Sequence, residues 1–252
     1  MSSRRQRLDA ELVRRGLAPS RTDAATLVES GRVLVNGACA DKVSRQVHPG
    51  DALRVDGEPP RYVSRGGLKL EAALASFDVD VAGRRVLDVG ASTGGFTDCA
   101  LQHGAAHVVA LDVGHGQLHP RIRGDDRVTV LERLHAREIT VELVGVVAVA
   151  VVDVSFISVM KVVDPILRVL EPGGSIILLV KPQFEAGRQE VSRGRGVVAD
   201  PEVHARVCAE VEEFLTGRSL SVRGWRESPI TGGDGNREFL VHAVSGAEVS
   251  VP

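Results

Sequence analysis

The chain has 252 residues, 43% hydrophobic and 25% charged, with 31 Lys and Arg against 33 Asp and Glu. These values are ordinary for a soluble globular protein and allow one good core plus a small module, or two modest domains. The three cysteines, Cys39, Cys99 and Cys208, form no CxxC pair, so neither a disulfide framework nor a zinc ribbon is indicated and a reducing cytoplasm is expected. The Arg-rich start lacks the apolar segment of a secretory signal. The longest near-apolar run, Leu143 to Val152, is about half the length needed to span a bilayer and reads as one buried strand.

Charge is unevenly distributed. Residues 1–69 hold 13 Lys and Arg against 8 Asp and Glu, a surplus of five positive charges; residues 70–252 hold 18 against 25, a deficit of seven. A basic front end on an acidic body suggests a segregated module for a polyanion. Leu8 to Arg15 reads as a helix stopped by Gly16. Ser20 precedes a second helix, with Asp23 three residues on in a capping-box arrangement; Ala24, Ala25, Leu27 and Val28 form its apolar face and Gly31 ends it. Val33 to Gly37 is a strand entering an Asn-Gly turn, and Ala52 to Val55 is a further strand. A compact ααβ module is expected over residues 1–58, followed by a short, stiff linker over 59–63 and a second domain over 64–252.

A helix is expected from Leu68 to Ser76. Beyond Arg84 the strand-like runs are Val86–Val89, Val108–Val113, Val128–Leu131, Val144–Val152 and Ile176–Val180. Continuous apolarity marks strands covered on both faces, as in a parallel α/β sheet. Helices are expected at Ser158–Leu170, stopped by Pro172-Gly173-Gly174, and at Pro201–Leu215. Strands near Leu220–Arg226 and Glu238–Val244 could close the sheet as a hairpin. Gln183 to Ala199 reads as a loop whose Arg188, Arg193 and Arg195 could touch RNA.

The first strand-to-helix turn reads Asp88-Val89-Gly90-Ala91-Ser92-Thr93-Gly94-Gly95-Phe96. Gly90 permits a tight turn, and Gly94 and Gly95 permit close approach of backbone to a ligand and of the next helix to the sheet. Asp112, 22 residues beyond Gly90 at the end of the second strand, suits ribose hydroxyls. The dinucleotide spacing G-x-G-x-x-G is absent, and Asp88 before the first glycine resembles the S-adenosylmethionine version of the fold. Asp153 and Lys181 end later strands, where ligand crevices open in such sheets. There an acid and a lysine could meet, and the lysine could take a proton from a sugar hydroxyl or stabilise the oxyanion. Arg4, Arg5, Arg7, Arg14, Arg15, Arg21, Lys42 and Arg45 could clasp phosphates. His115 and His119 have metal-ligand spacing without a third ligand, and no metal is expected.

Several strings resemble the TlyA family of ribosomal-RNA 2′-O-methyltransferases, some of them described as hemolysins, and within it an actinobacterial member. In the first module these are Arg7-Leu8-Asp9, Leu12, Gly16-Leu17-Ala18, Ser20-Arg21, Ala24, Gly31, Val35-Asn36-Gly37, Lys42 and Gly50-Asp51, similar to an S-four-type RNA-binding domain. In the second they are Tyr62 to Leu70, Asp153 to Ser158, Val180 to Glu185 and Asn236 to Phe239, similar to an FtsJ-type methyltransferase. The resemblance implies a Rossmann-like, mostly parallel seven-stranded sheet plus a small α+β RNA-binding domain. It implies S-adenosylmethionine-dependent 2′-O-methylation of cytidine in 16S or 23S rRNA, or both, within 30S or 50S subunits, a mark that can alter sensitivity to ribosome-targeting peptide antibiotics.

Lys69, Asp153, Lys181 and Glu238 would be the catalytic tetrad. Asp88, Gly90, Ser92, Thr93, Gly94, Gly95, Phe96, Asp112, Val113, Asp153 and Phe156 would hold the cofactor. Ser20, Arg65 and Arg133 would join the basic residues above on RNA. One string departs from the family: Glu132-Arg133 is followed by Leu134-His135 in place of Thr-Asn, which weakens the carry-over of cofactor and RNA contacts to that loop. Other readings are a non-catalytic rRNA-binding or ribosome-assembly factor, and a membrane-lytic protein, for which no spanning or strongly basic amphipathic segment is seen.

Overall fold

A computed structural model describes residues 5–18, 20–57, 60–187, 190–191, 194, 196–232 and 235–246. The chain divides into two compact units, Met1–Ser64 and Arg65–Pro252. Arg4, Glu58, Pro59, Arg188, Arg193 and Arg195 lie outside the described residues.

In the first unit, β1 (Gln6–Arg7) leads into α1 (Leu8–Arg14), and α2 (Arg21–Glu29) follows. Gly16, at φ +69°, takes the left-handed turn beyond α1 that a β-carbon would disfavour. Ser20 caps α2: its hydroxyl oxygen accepts the Asp23 N–H at 3.1 Å. The hydroxyl also donates to the Asp23 carboxylate at 2.7 Å. β2 (Val33–Val35) and β3 (Ala38–Cys39) form the hairpin expected at Asn36-Gly37, whose positive φ values, 53° and 82°, are what a tight primed turn demands. β4 (Gln46–Val47) pairs with β1, and β5 (Leu53–Val55) pairs with β2. Leu8, Leu12, Ala24, Val33 and Ala40 are wholly buried at its centre.

The second unit opens with α3 (Gly66–Phe77). It continues through β6 (Arg85–Val89), α4 (Gly95–Gln102), β7 (His107–Asp112), α5 (Pro120–Arg123) and β8 (Val128–Glu132). Next come α6 (Val141–Val144), β9 (Val147–Val152), α7 (Met160–Leu167), β10 (Leu170–Val180) and α8 (Pro182–Glu185). The last elements are α9 (Pro201–Thr216), β11 (Leu220–Glu227) and β12 (Phe239–Ser245). The seven strands run in the order β11-β12-β10-β9-β6-β7-β8. All neighbours are parallel except β12, which is antiparallel to β10 and to β11. The expected closing hairpin is therefore present. All six residues of β9 are buried, as befits a strand covered on both faces.

Four expectations are corrected. The apolar run 143–152 is not one strand: Gly145, at φ +72°, separates the short helix α6 from β9, leaving Val141, Leu143 and Val146 exposed. The helix expected at 158–170 spans only Met160–Leu167, because Leu170 already pairs with Val147 in the sheet. Pro172-Gly173-Gly174 does not stop that helix; it lies where the β9–β10 register shifts, a bulge inside β10 that Gly173 accommodates at φ +76°. Within the stretch expected as a loop after Gln183, α8 continues to Glu185.

Candidate active site and nucleic-acid surface

Strand order sets the place of the site. From β6 the chain moves outward to β7 on one side, while β9 lies on the other, so a crevice opens at the carboxyl ends of β6 and β9. A cavity of about 730 Å³ occupies it, lined by Gly90, Ser92, Asp112, Val113, Asp153 and Phe156, among others. Gly90 sits at φ +90°, and a β-carbon there would collide with the Asp153 carbonyl oxygen. The crossing of these two backbones therefore requires glycine. Asp112 accepts the Ser92 N–H at 2.8 Å and the Gly114 N–H at 2.6 Å, so its carboxylate both shapes the glycine turn and borders the cavity.

Five residues expected at the cofactor do not line this cavity: Asp88, Thr93, Gly94, Gly95 and Phe96. Asp88 is wholly buried beneath the turn, where one carboxylate oxygen accepts the Thr97 hydroxyl at 2.6 Å and the other has no hydrogen-bond partner. Burial above all, with the charges of Asp153 and Asp112 adding to it, pushes this carboxyl up to about 7. Gly94, at φ +96°, serves packing: a β-carbon there would lie 2.9 Å from Leu118 Cδ1 and 3.4 Å from Ile122. Thr93 offers its carbonyl to the His119 N–H at 3.1 Å, and Phe96 is buried.

Other wall residues were not anticipated. Gln117 accepts the Ser92 hydroxyl at 3.4 Å across the mouth of the turn. His135, Ala136 and Arg137 also line the cavity. His135 caps the 3-10 turn Ala136–Glu138, and its own N–H donates to Glu138 Oε2 at 2.9 Å.

At the rim on the β9–β10 side, Lys181 Nζ lies 2.6 Å from Asp153 Oδ1 and donates to Ser155 Oγ at 2.9 Å. Asp153 and Ser155 both line the cavity; Lys181 is buried behind them. Across β10, Glu238 directly precedes Phe239, the register partner of Val180, and Glu238 pairs with Lys69 of α3 in a second buried ion pair. The four ionisable residues thus form two pairs flanking the end of β10.

Phe156 is 92% exposed, at φ +65°, with its ring centroid 5.3 Å from that of Phe184. A β-unbranched but bulky side chain in the left-handed region is uncommon and tends to occur at functional loops. Sequence reasoning gave no role to Glu185 or Asn236 individually, although both stand in the quoted strings. Glu185 accepts the Val159 N–H at 2.8 Å. Asn236, buried, accepts the Val198 N–H at 2.9 Å and donates to the Gly196 carbonyl at 3.0 Å. His115 and His119 take other duties. The first pairs with Glu132 at 2.8 Å and the second accepts the Arg121 N–H at 3.1 Å; among the described residues no metal-binding group of three is found.

In the first unit the basic residues divide by what engages them. Arg7 and Arg21 converge on buried Asp9, while Arg14 and Arg15 converge on buried Glu11. Burial raises the Asp9 carboxyl, but the Arg7 and Arg21 guanidinium groups and the Ala10 N–H hold it at about 2. Arg14, then Arg15, holds Glu11 at about 2 against its burial. Arg15 also donates to the carbonyls of Asp51 at 2.7 Å and Pro49 at 2.8 Å, pinning α1 to that turn. Arg5 and Lys42 are exposed, and Arg45 is half-buried, its carbonyl accepting the Leu8 N–H at 2.8 Å. In the second unit Arg65 is exposed at the start of α3, and exposed Arg133, at φ +58°, donates its N–H to the Gly114 carbonyl at 3.0 Å.

Sheet order, a cavity at the switch point and an acid at the second strand's end define a Rossmann-like α/β domain of the methyltransferase type, joined to a small basic module. The chain belongs to the FtsJ-like methyltransferase family, which matches residues 62–244, and an S4 domain matches residues 6–53. It is 47% identical over 241 residues to the 16S/23S rRNA (cytidine-2′-O)-methyltransferase TlyA of Mycobacterium tuberculosis, covering 95% of this chain and 90% of that one. It is 38% identical over 240 residues to Hemolysin A of Brachyspira hyodysenteriae, covering 94% and 99%. Among solved structures, a Streptococcus thermophilus protein described as a hemolysin superposes with a TM-score of 0.76 at 41% identity, covering 98% and 92%. No helix among the described residues is long and apolar enough to cross a membrane.

Proposed function

We propose that this chain methylates the 2′-oxygen of cytidine ribose in ribosomal RNA, in the small subunit, the large subunit or both, working in the cytoplasm with S-adenosylmethionine as donor. The observation that carries the reading is the Lys181–Asp153 pair, 2.6 Å apart, with Asp153 in the wall of the cavity at the switch point. Family membership supports methyl transfer, and the rRNA cytidine named for the mycobacterial relative supports the substrate.

The residues fit a nucleoside-bearing donor. The volume of about 730 Å³ lies within the usual range for small-molecule sites. Asp112 already accepts two backbone N–H groups, and its oxygens retain lone pairs for ribose hydroxyls. Val113 and Ile157 offer apolar surface for a purine. When bound, S-adenosylmethionine supplies an electrophilic methyl group on a sulfonium.

Lys181 then acts on the acceptor. Held by Asp153 and Ser155, its amine takes the proton of the 2′-hydroxyl, and the ammonium so formed stabilises the negative charge that develops on the ribose oxygen. Lys69 and Glu238 hold the neighbouring end of β12 against α3. The exposed ring of Phe156, backed by Phe184, gives the target base a stacking face beside Lys181. The S4 domain supplies sequence-independent grip through its arginines.

Methylation of isolated 30S and 50S subunits with methyl-labelled donor, followed by mass-spectrometric mapping of the ribose mark, tests the reading. A 2′-O-methylcytidine in either rRNA is expected. Donor binding with no methyl incorporated into either subunit would favour a non-catalytic assembly factor.

A further inference from the structure

Asp9 is an acid in the middle of a surface that RNA binding requires to be positive. It is 4% exposed in the first turn of α1. Arg7 donates to it through Nε at 3.1 Å and Nη2 at 3.2 Å, one bond to each carboxylate oxygen. Arg21, at the start of α2, donates to Oδ2 through Nε at 3.1 Å and Nη2 at 2.7 Å. The Ala10 N–H completes the set at 2.9 Å. Both arginine side chains are nevertheless open to solvent, 46% and 60% exposed. No described residue engages either Nη1.

Two guanidinium groups with no anion between them would repel and sample many rotamers. The buried carboxylate offsets the repulsion and holds both forks side by side, with one edge of each spent inward. Their remaining edges can meet the oxygens of a single phosphodiester, the geometry in which arginine binds phosphate best. Glu11 builds no such pair, because Arg15 is committed to the carbonyls of Asp51 and Pro49.

Resting on the RNA-binding reading above, we propose that Asp9 is a positioning residue that presents Arg7 and Arg21 as one preformed seat for an RNA phosphate. The sign of one substitution separates this from simple charge counting. If only net charge mattered, Asp9→Asn would remove a repulsive anion and tighten RNA binding. If Asp9 positions the arginines, the same change weakens it, because the freed side chains no longer meet one phosphodiester together and that phosphate contact is lost.

The test is binding of 16S and 23S rRNA transcripts to the full chain across a salt series. Asp9→Asn is expected to bind about tenfold more weakly than the native chain. Its plot of log affinity against log salt should be flatter by about one unit, the signature of a lost phosphate contact that a general loss of stability would not give. Arg21→Ala should cost less in the Asp9→Asn background than in the native one. Equal or tighter binding by Asp9→Asn, or full additivity, overturns the inference while leaving the RNA reading intact. Failure of the native chain to bind either transcript overturns both. Should Asp9→Asn not fold, Arg7→Ala, Arg21→Ala and the double variant decide: a shared seat predicts a double loss smaller than the sum of the singles, and an additive loss overturns it.

Discussion

The carboxylate of Glu185 accepts the backbone N–H of Val159 at 2.8 Å, joining the turn after β10 to the loop after β9. The first of these segments carries Lys181, the second Asp153 and Phe156. The ring contact between Phe184 and Phe156 ties the same two segments a second time. The separation of the lysine and the aspartate therefore depends also on Glu185, which bonds to neither, and on Phe184, whose ring centroid lies 5.9 Å from Lys181 Nζ. Glu185→Ala is expected to lower turnover between about tenfold and a hundredfold, since a displacement near 1 Å is enough for that loss. Glu185→Gln, which retains an acceptor for Val159, should recover most of it. Burial raises the Glu185 carboxyl, so the glutamine variant should be no less stable at neutral pH. Single-turnover kinetics and thermal unfolding of both variants check this.

Lys181→Ala should reduce methyl transfer by roughly 10² to 10⁴-fold, the usual worth of a positioned proton-handling group. Donor affinity should change little, because Lys181 is not among the cavity-lining residues. Lys181→Arg should not restore activity: a planar guanidinium cannot reproduce the compact ammonium between Asp153 and Ser155. Calorimetric titration of S-adenosylhomocysteine alongside an activity assay separates the two effects. Loss of donor binding in Lys181→Ala would place the residue in the cofactor site instead.

The Lys69–Glu238 pair is deeply buried, with side chains 10% and 3% exposed. Removing one partner leaves an uncompensated buried charge. Glu238→Gln or Lys69→Met is expected to destabilise the second unit by about 3–5 kcal/mol, whereas the double variant should cost less than the two singles together. Urea unfolding of the four forms gives the coupling directly. Additive losses would mean that the two side chains act independently.

Asp88 provides a pH test. Burial lifts its carboxyl to about 7, above the ordinary value of 3.8, so the folded state holds a proton that the unfolded chain releases. The stability this group contributes is fully present below pH 3.8 and is lost as pH rises through about 7. Asp88→Asn mimics the protonated form and should flatten the stability profile between these limits. At pH 8 it should match or exceed the native chain. A variant that keeps the native pH slope would show that another group is responsible.

Local features of the chain were legible because their physical demands are local. The Asn36-Gly37 hairpin follows from two successive positive φ values, and β6, β7, β9 and β10 follow from apolar runs covered on both faces. Gly90 makes the tight turn that its position after β6 implies, but the reason is tertiary: the Asp153 carbonyl, at the end of a strand more than sixty residues away, crosses it. Boundaries were misread where one residue outweighs a run. Gly145 splits an apolar stretch, and the Pro172-Gly173-Gly174 signal marks a bulge in β10, because Leu170 finds a partner in Val147.

By itself, then, the sequence determined the class of fold, the presence of a basic module, and the strand ends at which Asp112, Asp153, Lys181 and Glu238 stand. Only the tertiary structure decided which neighbours those strand ends have. Placing β9 beside β6, and β10 between β9 and β12, couples Lys181 to Asp153 and leaves Glu238 to Lys69. It brings His135 and Arg137 into the cavity wall, withdraws Phe96 and Gly94 into packing, and commits Arg15 to the Asp51 turn. Periodicity and turn chemistry act over a few residues, whereas the walls of a cavity are set by strand order, which brings together residues far apart in the chain.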